Sequence, residues 1–227
     1  MENTKYFTDF SIISLGERCW SRVFWTSFSL VNTDHRRFRL PFDGCVTIYE
    51  SLISLLNTDF ANVLNGLEKD GDYFFTDFQR FPHERPGCDF KNFKEQIHLR
   101  IKQFYDEINF HIKEKKTLVF FLVYQNYPNE LISILKNKFP KLKFKIFCIS
   151  TQKYQTEKKQ ESIDNDFCRF LQMKMPAECG GNMVELRKTL DGQMFEKSVL
   201  AELLMFLTNL GGVEYNLNEI FSARNID

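Results

Sequence analysis

The stretch TLVFFLVY, Thr117 to Tyr124, limits the folds open to this chain more than any other. It is a continuous apolar run of strand length, the pattern of a strand covered on both faces rather than one side wet. After a short link, Glu130 to Phe139 has helical spacing and stops at Pro140. KFKIFCIS, Lys143 to Ser150, then reads as a second strand. Strand, helix and strand with short links predict a parallel pair joined by a right-handed crossover. The fold class is therefore α/β: a single three-layer domain over 1–227, with a mostly parallel sheet flanked by helices.

The remaining elements fit that plan. FSIISL, Phe10 to Leu15, reads as a short buried strand. Glu17 to Leu30 is expected to be helical, with Trp20, Val23, Phe24 and Phe28 on one face. A basic loop, NTDHRRFR, leads to LPFDG at 40–44, where Pro41 and Gly44 mark a turn. Helices are predicted over Ile48 to Leu56 and, shorter, over Phe60 to Leu64. Residues 68–89 are aromatic, contain His83 and are broken by Pro82 and Pro86, so an ordered loop with one short strand is expected. Phe90 to Lys115 is a long amphipathic helix with Phe93, Ile97, Ile101, Phe104, Ile108 and Ile112 as its core stripe. Asp166 to Met175 fits strand or short helix, MPAECGGNM is a turn, and Gln193 to Leu210 is an outer helix.

Composition excludes several classes of function. The 30 basic and 30 acidic residues cancel, which argues against a dedicated nucleic-acid binder. Met1 to Asp9 has neither a basic start nor an apolar stretch, and no window spans a membrane. A cytoplasmic setting with free thiols is therefore expected for Cys19, Cys45, Cys88, Cys148, Cys168 and Cys179. None of these pairs at C-x-x-C spacing, so no metal and no cofactor is expected. Phosphate-binding glycine loops, a G-x-S-x-G elbow and H-E-x-x-H are all missing.

One place invites chemistry. In ISLGERC the first strand ends at Leu15-Gly16 and Cys19 follows in the first turn of the expected helix. Free amides and the helix dipole favour an anion there, and thiols at such places ionise more readily. Gly16 lets the chain turn tightly and bring amides toward an oxyanion, and Arg18 adds positive charge. The plainer reading makes Cys19 a small core residue. A thiol nucleophile needs a base. His111 lies among lysines near a helix end and suits a solvated or capping role, His98 lies on a helix flank, and His35 sits in the basic loop. His83, in RFPHERPGCD, sits in a rigid aromatic loop of the kind that carries catalytic groups, or is a turn histidine held by a neighbouring carbonyl. Asp43 either orients the imidazole or closes an Asx-type turn near Gly44. Asp77, Glu84 and Asp89 are the alternative carboxylates.

Taken together, ISLGERC and LPFDG resemble the motifs of a bacterial family of papain-like cysteine peptidases, formerly a domain of unknown function. Ser14, Leu15, Gly16 and Cys19 match its Ser-Leu-Gly-x-x-Cys motif, and Pro41, Phe42 and Asp43 its Pro-Phe-Asp motif. FQRFPHE is similar to its histidine segment and EQIHLRIKQFYDEI to the helix after it. Gly44 stands where that family usually has Trp, and Arg100 stands without a paired arginine. The resemblance covers Phe10 to Tyr124. It implies Cys19 as nucleophile, His83 as base and Asp43 as third member. The sheet expected here is not papain's architecture, so the fold expectation follows the strand pattern.

Three functions are then in play. The first is a cysteine-dependent hydrolase or acyltransferase acting on a small-molecule or peptide substrate. The second is a non-covalent enzyme or binder for a sugar, nucleotide or phosphorylated ligand, linked to surface polysaccharide synthesis, with Gly16 and Arg18 as an anion-binding loop. The third is a partner-binding module whose aromatic surface spans Tyr73 to Phe81.

Overall fold

The computed structural model describes residues 11–16, 40–43, 45–82, 87–152, 162–174, 176 and 188–211. The expected helix at 17–30, the basic loop, Arg18, Cys19, His35, His83, Glu84, Cys179 and most of the 175–183 turn lie outside the described residues.

Five strands form a mixed, mostly parallel sheet. They are β1 (Ser11–Ser14), β5 (Thr117–Val123), β6 (Lys143–Gln152), β8 (Cys168–Lys174) and β7 (Ser162–Asp164), in that spatial order. The first four run parallel, and β7 closes the edge antiparallel to β8. The apolar run at 117–124 becomes β5, flanked by β1 and β6 as a doubly covered strand must be. Its side chains alternate between two cores. Leu118, Phe120 and Leu122 join one cluster; Val119, Phe121 and Val123 join the other.

Helices supply the rest of both cores. The first cluster contains Leu52, Leu55 and Leu56 of α1 (Tyr49–Asn57), Phe93, Ile97, Phe104 and Ile108 of α2 (Phe90–Glu114), and Leu131 and Leu135 of α3 (Asn129–Lys138). The second contains Val199, Leu200, Leu203 and Leu207 of α4 (Leu190–Asn209). Two of the four helices described are capped at their start by a side chain of their own. The Asp89 carboxylate accepts the Asn92 amide at 2.7 Å, and the Thr189 hydroxyl accepts the Gly192 amide at 3.0 Å. Pro128, at the start of α3, has no capping side chain. The Tyr49 hydroxyl, from α1, accepts the Leu131 amide at 3.2 Å instead, while the Tyr49 ring stacks on Tyr124 at 3.7 Å.

Two expectations need correction. Residues 60–64 are not helical: the chain after α1 runs through turns, with Asp59 and Phe60 at φ of 52° and 59°. Left-handed backbone at two successive residues ends any helix. Lys138 reaches the Asp59 carboxylate at 2.6 Å and the Tyr105 hydroxyl donates to it at 2.7 Å, holding the turn. Residues 68–81, expected to hold one short strand, form a second sheet of β2 (Glu68–Asp70), β3 (Tyr73–Phe75) and β4 (Arg80–Phe81), antiparallel throughout. Phe74 and Phe81 face each other across β3 and β4, and both pack on Phe93, with ring centroids at 4.2 and 5.0 Å. That aromatic contact ties the small sheet to α2.

Candidate functional site: the turn at the end of the first strand

In a parallel sheet the carboxyl ends of the strands are where ligands meet the protein. At β1 that end is Leu15-Gly16. The Leu15 amide donates to Phe121 O at 2.9 Å, extending the ladder by one residue, and Gly16 then turns the chain at φ +94°. A Cβ on Gly16 would lie 3.0 Å from Thr47 Cβ and 3.4 Å from Thr47 Oγ1. Glycine is therefore required twice, by the backbone angle and by the neighbour.

Thr47 belongs to a buried polar circuit. The Gln79 amide nitrogen donates to Thr47 Oγ1 at 2.9 Å and to Pro41 O at 3.1 Å, and lies 3.3 Å from Cys45 Sγ. Cys45 Sγ is 3.3 Å from Thr47 Oγ1 and donates to Pro41 O at 3.5 Å. Thr47 and Gln79 are 1% and 2% exposed, and Cys45 is fully buried. Nearby, Val46 and Arg80 exchange both backbone hydrogen bonds, at 2.8 and 3.0 Å. The segment after the 40–43 turn thus runs as an extra edge on the small sheet.

Asp43 sits in the turn this circuit supports. Its amide donates to Leu40 O and its Oδ2 accepts from Leu40 N, both at 2.9 Å. It is 3% exposed, so the carboxylate is held inside rather than presented to water. The preceding Phe42 is fully buried, with its ring against Phe60 at 5.6 Å and Phe104 at 6.2 Å. The Pro-Phe-Asp turn is therefore anchored in the core by its middle residue. The turn bond reaches back to Leu40, and Gly44, where an Asx-type turn is expected, lies outside the described residues.

The electrostatics separate this circuit from a reactive thiol. Burial pushes Cys45 up to about 12. The Thr47 hydrogen bond pulls the other way, the Asp43 carboxylate adds to the rise, and Arg100 opposes it. Cys168 is also raised to about 12, again by burial first. Cys45, Cys88, Cys148 and Cys168 are all buried, the environment of inert structural cysteines.

Arg100 and Gln79 carry weight that the sequence reading did not give them. Arg100, at 4% exposure, lies in the core stripe of α2 and donates to Gln96 Oε1 at 3.3 Å. A charge at helical spacing between Ile97 and Phe104 was the available signal. For Gln79, the signal was its parity with Phe81, two residues on along an extended chain. His111 differs from expectation: it is buried, with Nε2 3.2 Å from Glu107 Oε1, and not solvated. His98 is exposed, as a helix flank implies. Of the alternative carboxylates, Asp89 caps α2 and Asp77 is exposed. Gly16 and Asp43 are therefore the two named site residues whose surroundings are described. The Gln79 circuit links the segments that carry them, while Cys19, His83 and Arg18 are outside the described residues.

No group of His, Cys, Asp and Glu suited to a metal ion occurs among the described residues. Among them, no helix is long and apolar enough to cross a membrane. No protein-family model, no curated protein and no solved structure matches this chain.

Proposed function

We propose that the chain is a cysteine-dependent hydrolase or acyltransferase working at the carboxyl end of β1. In this reading Cys19 is the nucleophile, His83 the base and Asp43 the group that orients the imidazole. His83 takes the thiol proton, and the thiolate adds to an acyl carbonyl. Amides at the Gly16 turn hold the oxyanion. His83 returns its proton to the leaving group as the carbonyl re-forms, giving a thioester. Water, or a hydroxyl acceptor such as a sugar alcohol, then releases the acyl group and restores the thiol.

One observation supports this reading: Gln79 bonds both the Pro41–Asp43 turn and Thr47, the residue that fills the space a side chain at Gly16 would need, although Gly16 and Pro41 are 25 residues apart. A glycine at φ +94°, where any side chain is strained, sits at the strand end three residues before a thiol, and Asp43 is buried. A docking role for Tyr73 to Phe81 is less well served, because Phe74 and Phe81 are fully buried and only Tyr73 of the aromatics there is exposed.

The test is thiol alkylation of the native full chain, mapped by mass. The four buried cysteines label slowly, so the signal at Cys19 stands alone from theirs. Cys19 is expected to react faster at pH 7 than it does in denaturant. No such acceleration would overturn the proposal. Cys19→Ser separates the non-covalent alternative, since a sugar or phosphate binder keeps its ligand without the thiol.

A further inference from the structure

We propose that Gln79 is a positioning residue for this site, acting through Thr47 on the Gly16 turn and through Pro41 on the Asp43 turn. Its catalytic consequence rests on the reading of Cys19 as nucleophile; its structural basis does not. Three segments meet at this one side chain. The first is the turn after β1, where a Cβ on Gly16 would lie 3.0 Å from Thr47 Cβ, the residue Gln79 holds. The second is the 40–43 turn, whose Pro41 carbonyl accepts from Gln79 Nε2 at 3.1 Å. The third is the edge of the small sheet itself, since Gln79 immediately precedes β4, the strand that leads toward His83.

The chemistry of the amide fixes its orientation. Pro41 O can only accept, so the nitrogen, not the carbonyl, must face it. The same nitrogen then serves Thr47 Oγ1, which leaves the threonine proton for Cys45 Sγ and the Cys45 proton for Pro41 O. The circuit closes with every donor on that side used. The opposite end of the amide does not fit a purely structural account. Gln79 Oε1 is buried and has no hydrogen-bond partner. An apolar side chain of the same length would fill this place without stranding a carbonyl, and buried unsatisfied acceptors are rare in folded proteins. What that cost gains is a nitrogen that holds the 40–43 turn and Thr47 in one geometry. Groups left strained or unsatisfied by a fold cluster where function needs them.

Two variants and two readouts test this on the full chain. Gln79→Met keeps the length and removes the donors. Thr47→Val keeps the Cβ packed on Gly16 and removes only the hydroxyl. Hydrogen exchange is read at the Leu15 and Asp43 amides, whose acceptors are Phe121 O and Leu40 O. Both amides are expected to exchange at least about tenfold faster in Gln79→Met, with the β5–β6 ladder unchanged, a change that local opening rather than global unfolding produces. Thr47→Val accelerates Leu15 and leaves Asp43 near wild type, because the Pro41 bond survives. The second readout is the pH profile of Cys19 alkylation, which shifts upward by about one unit in Gln79→Met, or about tenfold in rate at pH 7. A control in the other core, Phe206→Leu, lowers stability and moves neither readout. Unchanged exchange at both amides in Gln79→Met overturns the positioning role. Loosened amides with an unshifted alkylation profile overturn its catalytic consequence. Ordinary Cys19 reactivity in the wild type overturns the enzyme reading instead, with the exchange result still deciding the positioning role.

Discussion

Replacing Gly16 with alanine perturbs the first strand's end in two separable ways. An L-residue at φ +94° pays for left-handed backbone, roughly 1–2 kcal/mol. The added methyl also meets Thr47 Cβ at 3.0 Å, and Thr47 is held in place by Gln79 and Cys45. Overpacking a side chain that cannot retreat costs about 1–3 kcal/mol. Gly16→Ala should therefore lose about 2–5 kcal/mol. For a chain of this length that is a drop in Tm of roughly 5–15 °C. Gly71, in the turn between β2 and β3, supplies the comparison: its φ is +57° and a Cβ there would meet nothing within 4 Å. Gly71→Ala should show the backbone cost alone, about 1 kcal/mol. Urea unfolding of the two variants and the wild type gives the difference directly. Because the clash is with Cβ and not the hydroxyl, Thr47→Ser in the Gly16→Ala background recovers nothing. Equal losses for Gly16→Ala and Gly71→Ala would refute the tight contact on which the site's geometry depends.

Tyr49→Phe removes the hydroxyl that accepts the Leu131 amide and leaves the start of α3 uncapped, so urea unfolding should register a loss of about 1–2 kcal/mol while the stacked ring stays. A loss near zero would mean the amide finds another acceptor. Cys45 is held as a thiol up to about 12, above its unfolded value of roughly 8.5. Its contribution to stability is complete below about pH 8.5 and declines as pH rises from there toward about 12. Between about pH 8.5 and 10 the decline is on the order of 2 kcal/mol, and Cys45→Ala should flatten that part of the urea-midpoint profile. An alkaline slope unchanged by Cys45→Ala would show that the thiol is not buried as described.

The parallel sheet and its helices were readable because their signals are long and local. β5 needed only its unbroken apolar run, and α2 only its stripe from Phe93 to Ile108. The small sheet was largely missed because its strands have three, three and two residues, too short for an alternation to declare itself. The turn at Asp59 and Phe60 was missed for a different reason. What holds it is Lys138 from α3 and Tyr105 from α2, partners that lie far along the chain. Asp43 and Gly16 stood out in the sequence because turn residues and glycines do so locally. Gln79 did not, since a glutamine in an aromatic stretch carries no chemistry until its partners are known.

The buried charge on α2 extends the same distinction. A helix that buries Phe93, Ile97, Phe104 and Ile108 has no packing reason to place an arginine at the intervening inward position. Burying a guanidinium is costly unless charge and hydrogen bonds compensate. Arg100 and Asp43 both bear on Cys45, with opposite sign, so the cation and the carboxylate share one interior region behind the 40–43 turn. That shared region explains why Asp43 is tolerated at 3% exposure, and why the turn, the helix and the Gln79 circuit must be read as one unit. Buried charge is not confined to this face: on the opposite one, where Val199, Leu203 and Phe206 pack with Phe121 and Phe147, α4 also buries Glu196, and Arg169 pairs with Glu202 at 2.9 Å.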